Sequence, residues 1–373
     1  VEQPCGVGFS YSTAADTKED YTYDDDKAAE DFYGMIQKFY ERFPQYNKNA
    51  MYLTSESYGG HYIPTLAKYI VDENTASTNP VVPFKGFAVG NPATDSYSTT
   101  PAMIDTWYGH QLLPKPVYDT YQAKCTKEPS KIINAEECEK IFLKMFTDTA
   151  NLNPYALDYP VCTTGEDGSK KKSIRNSQGA KLLHHNLKDH VSEQTLEKLG
   201  LATTASPQPA YDPCIDNYMD AWMNTDAVKA ALHVNPDVKW ADCSYNVNYS
   251  VYDKTKKDST TYYKYLLENN DKFDIDILVY SGDDDSICGT IGTQSWIYDL
   301  GYDVKPTKEW NVWKVNQQTA GYMAQFNDAR LAFATVHNAG HEVPTYQPAS
   351  ALALFESFLD RSVFGANDID MKV

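Results

Sequence analysis

The chain has 373 residues, with 33 Lys and Arg against 51 Asp and Glu and a formal net charge of −18. A chain of this length buries roughly three quarters of its unfolded surface, which makes it one large globular domain or two that need no staples to fold. The acidic balance repels nucleic acid and anionic membrane surfaces and so excludes roles built on binding either, and no apolar run reaches the ~18 residues of a membrane span.

The opening VEQPCGVGFSYS carries no initiator Met, signal peptide or helix-capping lead, and we expect from it a chain whose upstream segment is missing. From Lys27 to Phe43 the residues Phe32, Met35, Ile36, Phe39, Tyr40 and Phe43 recur at i, i+3, i+4 and predict a helix that Pro44 stops. Met51 to Thr54 has strand character, and Ile63, Leu66, Ala67, Ile70 and Val71 return at helical spacing, with a sharp polar segment between the two runs. Phe84 to Val89 is a second short strand, ending in Gly-Asn-Pro. Strand, helix, strand in this order predicts an α/β protein, its mostly parallel sheet covered by helices on both faces.

Between Tyr97 and Pro213 the texture changes. This stretch holds Cys125, Cys138 and Cys162, with Cys214 just beyond it, a Lys170 to Lys172 cluster, His184-His185 and little strand-like sequence. We expect an inserted, mainly helical, disulfide-linked region at 97–213, flanked by two parts of one core at 1–96 and 214–373. The sheet resumes with Ile275 to Tyr280 (IDILVY) and Leu331 to Val336 (LAFATV). The seven cysteines contain no C-x-x-C pair, which argues for disulfides over zinc or a thioredoxin-type site, and their odd number leaves a thiol over. Asn248-Tyr249-Ser250 is the sole glycosylation acceptor triplet and points to a secretory route.

The segment MYLTSESYGGHYIP explains itself if Ser57 is a nucleophile. Such a serine must stand clear of the sheet, its hydroxyl open to a base on one side and to substrate on the other. A strand-turn-helix elbow of the type G-x-S-x-G achieves this and needs small flanking residues, here Ser55 and Gly59, with Ser in place of the first Gly. The plain competing reading is a Ser-rich turn without chemistry. Downstream partners weigh against it: Asp283-Asp284-Asp285 follows IDILVY, and His337 and His341 follow LAFATV, in the order Ser, Asp, His of the α/β-hydrolases. Gly340 and the preceding strand deny the two histidines a helical zinc pair, the three aspartates lack the pattern of a calcium loop, and Gly6-Val7-Gly8 is too short for a dinucleotide fingerprint, so no metal or other cofactor is expected. The remaining histidines, His61, His110, His184, His185, His190 and His233, read as packed or exposed side chains.

Several segments together resemble the serine carboxypeptidase family almost end to end: EQPCGVGFSYS, ESYGGHYIP, YDPCIDNYMDAWMNTDAVKAALHV, YSGDDDSIC and NAGHEVP, in family order. The resemblance implies an α/β-hydrolase core in which 97–213 is the lid. It implies Ser57 as nucleophile, His341 as general base and then acid, Asp285 as the carboxylate that orients the imidazole, and the backbone N–H of Tyr58 as one oxyanion donor. Glu56 would bind the substrate's terminal carboxylate in its protonated form, which favours acidic pH. Ile287 and Cys288 would line the neighbouring pocket, and Glu342 the pocket of the departing residue, favouring a C-terminal Arg or Lys. By family pattern Cys125 pairs with Cys138 and Cys162 with Cys214, while the partner of Cys243 and the W-x-N-G-G-P-G-x-S-S segment, source of the second oxyanion N–H, are not in this chain.

The activity implied is release of C-terminal amino acids from peptides through an acyl-enzyme. Its partners would be peptides with a free C-terminus, with no nucleic acid and no membrane; a homodimer stays open, and the compartment would be a lysosome, a vacuole or the secretory route. An acyltransferase of the same family and a non-catalytic, partner-stabilising protein stay open as rivals.

Overall fold

A computed structural model of the chain describes residues 1–14, 18–76, 79–125, 135–149, 152–162, 213–214, 216–250, 258–306, 309–326, 330–364 and 369–371. The Lys170 to Lys172 cluster, His184, His185 and His190 lie outside the described residues, as does much of the expected insertion.

A two-residue strand β1 (Thr22–Tyr23) leads into helix α1 (Asp25–Arg42). The Asp24 side chain caps α1 by accepting from the Lys27 N–H at 2.9 Å, with Asp25 and Asp26 in the first turn and Arg42 in the last, so acids meet the positive helix end and a base the negative one. Its buried face is Ala28, Ala29, Tyr33 and Ile36, with Phe32, Met35 and Tyr40 packed at the margin. Phe39 and Phe43, which share the apolar spacing, are exposed, with their rings tilted against each other at 5.2 Å and Phe39 stacked on Tyr46 at 6.0 Å. The apolar stripe is wider than the surface that α1 presents to the core.

Strand β2 (Met51–Glu56), helix α2 (Gly59–Ala76) and strand β3 (Phe84–Gly90) follow, then β5 (Asp276–Gly282) and β8 (Leu331–Val336) after the two-residue strand β4 (Asn248–Tyr249), which pairs with β1. The large sheet begins in the order β2-β3-β5-β8, and these four strands are mutually parallel. Phe87 and Val89 of β3, Ile277 and Val279 of β5, and Leu331 and Phe333 of β8 face one apolar core with α1 and α2; Ala88, Leu278, Ala332 and Ala334 face another with Leu354 and Phe358. A strand buried on both faces shows no polar alternation, which is why IDILVY and LAFATV read as continuous apolar runs.

An antiparallel hairpin of β6 (Asn311–Val315) and β7 (Gln318–Gln325) extends the sheet beyond β8, and β9 (Ile369–Met371) closes that end. Neither the hairpin nor β9 is predicted by the sequence reading above. Its two-residue turn puts Asn316 and Gln317 at φ 50° and 67°, both positive as a primed hairpin turn requires, but without the glycine that usually announces one.

Helices α3 (Ser96–Gly109), α4 (Lys115–Lys124) and α5 (Ala135–Asp148) pack around a third apolar cluster that includes Ile104, Trp107, Phe142 and Met145. A disulfide joins Cys125 to Cys138 within this cluster, and a second joins Cys162 to Cys214. The mostly parallel sheet, its two helical faces and the helical, disulfide-linked region together bear out the expected fold class. No helix among the described residues is long and apolar enough to cross a membrane.

Candidate active site

The carboxyl ends of β2, β3, β5 and β8 lie along one edge of the sheet, because the four strands run parallel in adjacent positions. Ser57 leaves β2 there at φ 59°, a left-handed conformation that non-glycine residues seldom adopt and that turns the chain from strand to helix at once. The turn is held by the Ser57 N–H donating to Gly90 O at 3.0 Å and by Ser57 O accepting from the N–H groups of Gly60 and Ala93, each at 2.9 Å. A side chain at Gly59 would collide with Ser55, and one at Gly60 with the Ala93 carbonyl. The Gly-Gly pair is therefore needed for close approach of helix to strand, and Tyr58 sits just before the first turn of α2.

Asp285 follows β5 and is fully buried; His341 follows β8 and is 2% exposed. His341 Nδ1 donates to Asp285 Oδ2 at 2.7 Å, and the buried Nε2 finds no hydrogen-bond partner among the described residues. The structure thus brings acid and imidazole together, with the second ring nitrogen left available. It does not join that nitrogen to the serine: Ser57 Oγ makes no hydrogen bond among the described residues. Apo sites commonly show this last contact open, tightening only with substrate.

Burial alone would lower the His341 pKa, but the charge of Asp285, the hydrogen bond to it, and the charges of Glu342 and Glu56 outweigh burial and raise it to about 9. Burial is also the main cause at Glu56, whose pKa rises to about 7; His341 pulls it down, while Glu342 and Asp285 push it up. These mutual effects place Glu56, Glu342, Asp285 and His341 within one electrostatic neighbourhood beside Ser57. Protonation of Glu56 removes one of the charges that holds the imidazole proton, so the two groups titrate as a linked set.

Ile287 and Cys288 contribute chiefly through their backbones, whose N–H groups donate to Asp285 Oδ1 at 2.8 Å and Oδ2 at 3.2 Å. Their side chains are 0% and 3% exposed. The Cys288 thiol lies outside both disulfides, and burial first, then Asp285, pushes its pKa well up. Iodoacetamide near neutral pH is therefore expected to leave Cys288 untouched in the folded protein and to modify it only on unfolding, as read by peptide mass mapping. Modification of Cys288 before the half-buried Cys5 would instead reveal an open pocket wall.

Among the described residues two groups of side chains could approach a metal: the ligand atoms of Asp285, Cys288 and His341 lie within 4.8 Å of one another, as do those of His110, Asp158 and Asp284. In the first, acid and imidazole already satisfy each other and the thiol is held protonated. The second includes an exposed aspartate and one buried carboxylate that accepts the Asp158 N–H at 3.1 Å. Neither has a donor set closed around a cation.

Three features lie outside the sequence reading. The 152–162 segment clamps the site loops: Tyr155 O accepts from His341 N–H at 2.7 Å, Pro154 O from Ser286 N–H at 3.0 Å, and Asp284 O from Leu157 N–H at 3.1 Å. A second acid-imidazole contact, His337 Nδ1 to Asp283 Oδ2 at 2.7 Å, repeats the first in the open, at 63% and 35% side-chain exposure against 2% and 0%. The third is Asn91, at the end of β3, whose Nδ2 donates to Asp285 Oδ2 at 2.8 Å. Its only trace in the sequence is the Gly-Asn-Pro that ends the β3 run. Elsewhere, Asn248 lies exposed on β4, and the Tyr58 hydroxyl donates to Asp25 at 3.0 Å.

A family model described as serine carboxypeptidase matches residues 1–361. Among curated proteins, serine carboxypeptidase-like 26 of Arabidopsis thaliana is 31% identical over 363 residues, covering 96% of this chain and 71% of its own length. Serine carboxypeptidase 24 of the same plant is 31% identical over 364 residues, with the same 96% and 71% coverage. Among solved structures, a prohormone-processing carboxypeptidase from Saccharomyces cerevisiae, Kex1(delta)p, superposes with a TM-score of 0.67 at 18% identity, over 96% of this chain and 73% of that one. That likeness concerns the fold, which is the α/β-hydrolase fold.

Proposed function

Because this chain belongs to the serine carboxypeptidase family, we propose that the protein is a serine-type carboxypeptidase that releases C-terminal amino acids from peptides through an acyl-enzyme. The observation that carries this reading is the buried Asp285–His341 pair, with an unpartnered Nε2, on the same sheet edge as the strained Ser57 and a Glu56 whose pKa is raised to about 7.

In this reading Ser57 Oγ attacks the terminal peptide carbonyl as its proton passes to His341 Nε2. The resulting oxyanion is met by the Tyr58 N–H at the start of α2, where the positive end of the helix favours negative charge. His341 then gives the proton to the departing amine, and the acyl-enzyme forms. Water attacks the ester with its proton taken by the same nitrogen, and collapse returns that proton to Ser57. Asp285 holds the imidazole by Nδ1 throughout and leaves Nε2 to carry the proton.

Glu56 suits a substrate that ends in a carboxylate. Ionised, it would repel that group; protonated, it donates a hydrogen bond to it. Since burial raises its pKa to about 7, the donor form prevails below that pH and is lost above it. Relative to a peptide blocked at its C-terminus, which needs the same His341 base, kcat/KM for a peptide with a free C-terminus is therefore expected to fall as pH rises through about 7, by up to roughly tenfold per unit. An ester or amide blocked at that end should lack this limb, and Glu56→Gln should flatten it for the free peptide. A limb that persists in Glu56→Gln would place the titration elsewhere. Such a preference suits an acidic or extracellular compartment, and the exposed Asn248 offers a glycosylation site on a secretory route.

The test of the activity uses an N-blocked dipeptide and an organophosphonate. Release of the free amino acid together with phosphonylation at Ser57 supports a carboxypeptidase. Acyl transfer to an added alcohol or amine in preference to water would make it an acyltransferase, and absence of both labelling and turnover in the folded protein would leave a binding role.

A further inference from the structure

We infer that Asn91 is a positioning residue of this site, holding the Asp285 carboxylate in the orientation that the His341 imidazole requires. The inference rests on the carboxypeptidase reading for its kinetic consequence, but the geometry stands by itself.

Asn91 is completely buried, at the end of β3 between the serine strand and the aspartate strand. Its φ of 40° is a conformation that asparagine accepts more readily than most residues. Its backbone N–H and both polar atoms of its side chain are engaged beside Asp285. The Asn91 N–H donates to Tyr280 O at 2.8 Å and the side-chain Oδ1 accepts from the Gly282 N–H at 2.9 Å, tying the turn to β5. Nδ2 donates to Asp285 Oδ2 at 2.8 Å, with a longer contact to Gly282 O at 3.4 Å. The oxygen it meets is the one that accepts His341 Nδ1.

Three donors meet this oxygen, the third being the Cys288 N–H, and the two side-chain donors have separable effects. The imidazole N–H sets the tautomer; the amide N–H stops the carboxylate from rotating off the ring. Asn91 thus does what a structural turn residue need not do. The amide oxygen is enough to hold the Gly282 N–H, whereas the shorter bond of the amide nitrogen goes to the acid.

That division supplies the experiment. Asn91→Asp tolerates the same backbone conformation and keeps an oxygen for the Gly282 N–H at every pH, but it can donate to Asp285 only while protonated. With an N-blocked dipeptide, kcat of Asn91→Asp relative to the parent protein is expected to drop about 10- to 100-fold near neutral pH, with KM nearly unchanged, and to recover as pH falls and the new acid gains its proton. A ratio that is flat across pH, or a loss confined to KM, would reduce Asn91 to a turn residue. Asn91→Leu, which lacks the donor at all pH values, should show the loss without the recovery.

A second readout is independent of turnover. The downfield proton resonance of His341 Nδ1–H should move in Asn91→Asp with the same pH dependence, and an unmoved resonance overturns the inference even if the parent protein proves inactive. Conversely, a parent that neither cleaves nor is labelled at Ser57, yet shows the shift, refutes the carboxypeptidase reading and leaves the positioning role of Asn91 intact.

Discussion

Ser57→Ala is expected to lower kcat for peptide hydrolysis by about a millionfold, to leave KM within a small factor, and to change the melting temperature little. The last part follows from local geometry. Ser57 Oγ forms no hydrogen bond among the described residues, and the hydrogen bonds of the turn come from the backbone at Ser57. The left-handed φ of 59° strains any residue that carries a Cβ, so alanine inherits the strain without adding to it. Glycine would relieve it, and Ser57→Gly is the variant that confounds loss of a nucleophile with a change in the elbow. The kinetic part follows from the site's logic, since without Oγ the imidazole has no proton to accept and no acyl-enzyme can form. Rapid-quench kinetics beside a thermal melt checks both. Residual turnover above about a thousandth of the parent's would move the nucleophile to another side chain.

The parts of this protein that were legible in the sequence share a cause. Strands buried on both faces are long apolar runs, and a parallel sheet places the residues after each run on one edge, so that TSESYGG, SGDDDS and HNAGHE converge by topology alone. A helix-adjacent Gly-Gly pair after a strand has few explanations besides close backbone approach, and the structure supplies that approach at Ser55 and Ala93.

What was not legible depends on distance or on burial. Three aspartates and two histidines offer six pairings, and the structure forms two of them at the same 2.7 Å; only burial separates the enclosed Asp285–His341 from the open Asp283–His337. Asn91 is separated from its carboxylate by 194 positions, and Gly-Asn-Pro reads as an ordinary turn until that partner is known. The Pro154 to Asp158 clamp acts mostly through backbone groups, which leave no side-chain signature. At β6 and β7 the turn residues are Asn and Gln, and a hairpin without glycine passes for a loop. Phe39 and Phe43 err in the other direction, because spacing records what a helix could bury and not how much core there is to receive it.

Asp285→Asn is expected to lower kcat by about 10,000-fold, and the surroundings of the carboxylate show why no rotamer of the amide can rescue it. Oδ1 accepts from the Ile287 N–H, while Oδ2 accepts from His341 Nδ1, from Asn91 Nδ2 and from the Cys288 N–H. Every neighbour is a donor. If the amide oxygen takes the Oδ2 position, its NH2 faces the Ile287 N–H. If the amide turns over, its NH2 faces the Asn91 amide and forces His341 Nδ1 to become an acceptor, which moves the proton onto Nε2 where the serine's proton must arrive. Either arrangement buries at least one unmatched donor, at a cost of about 1–3 kcal/mol, and the second also selects the wrong tautomer. Stability should report the same loss through pH. In the parent the His341 pKa is raised from its ordinary 6.5 to about 9, so its stabilising contribution is complete below about 6.5 and disappears as pH climbs to about 9. Asp285→Asn removes the charge and the hydrogen bond that oppose the effect of burial, and this alkaline slope in chemical denaturation should flatten. If it does not, the raised imidazole pKa has another source and Asp285 is not the group that orients the base.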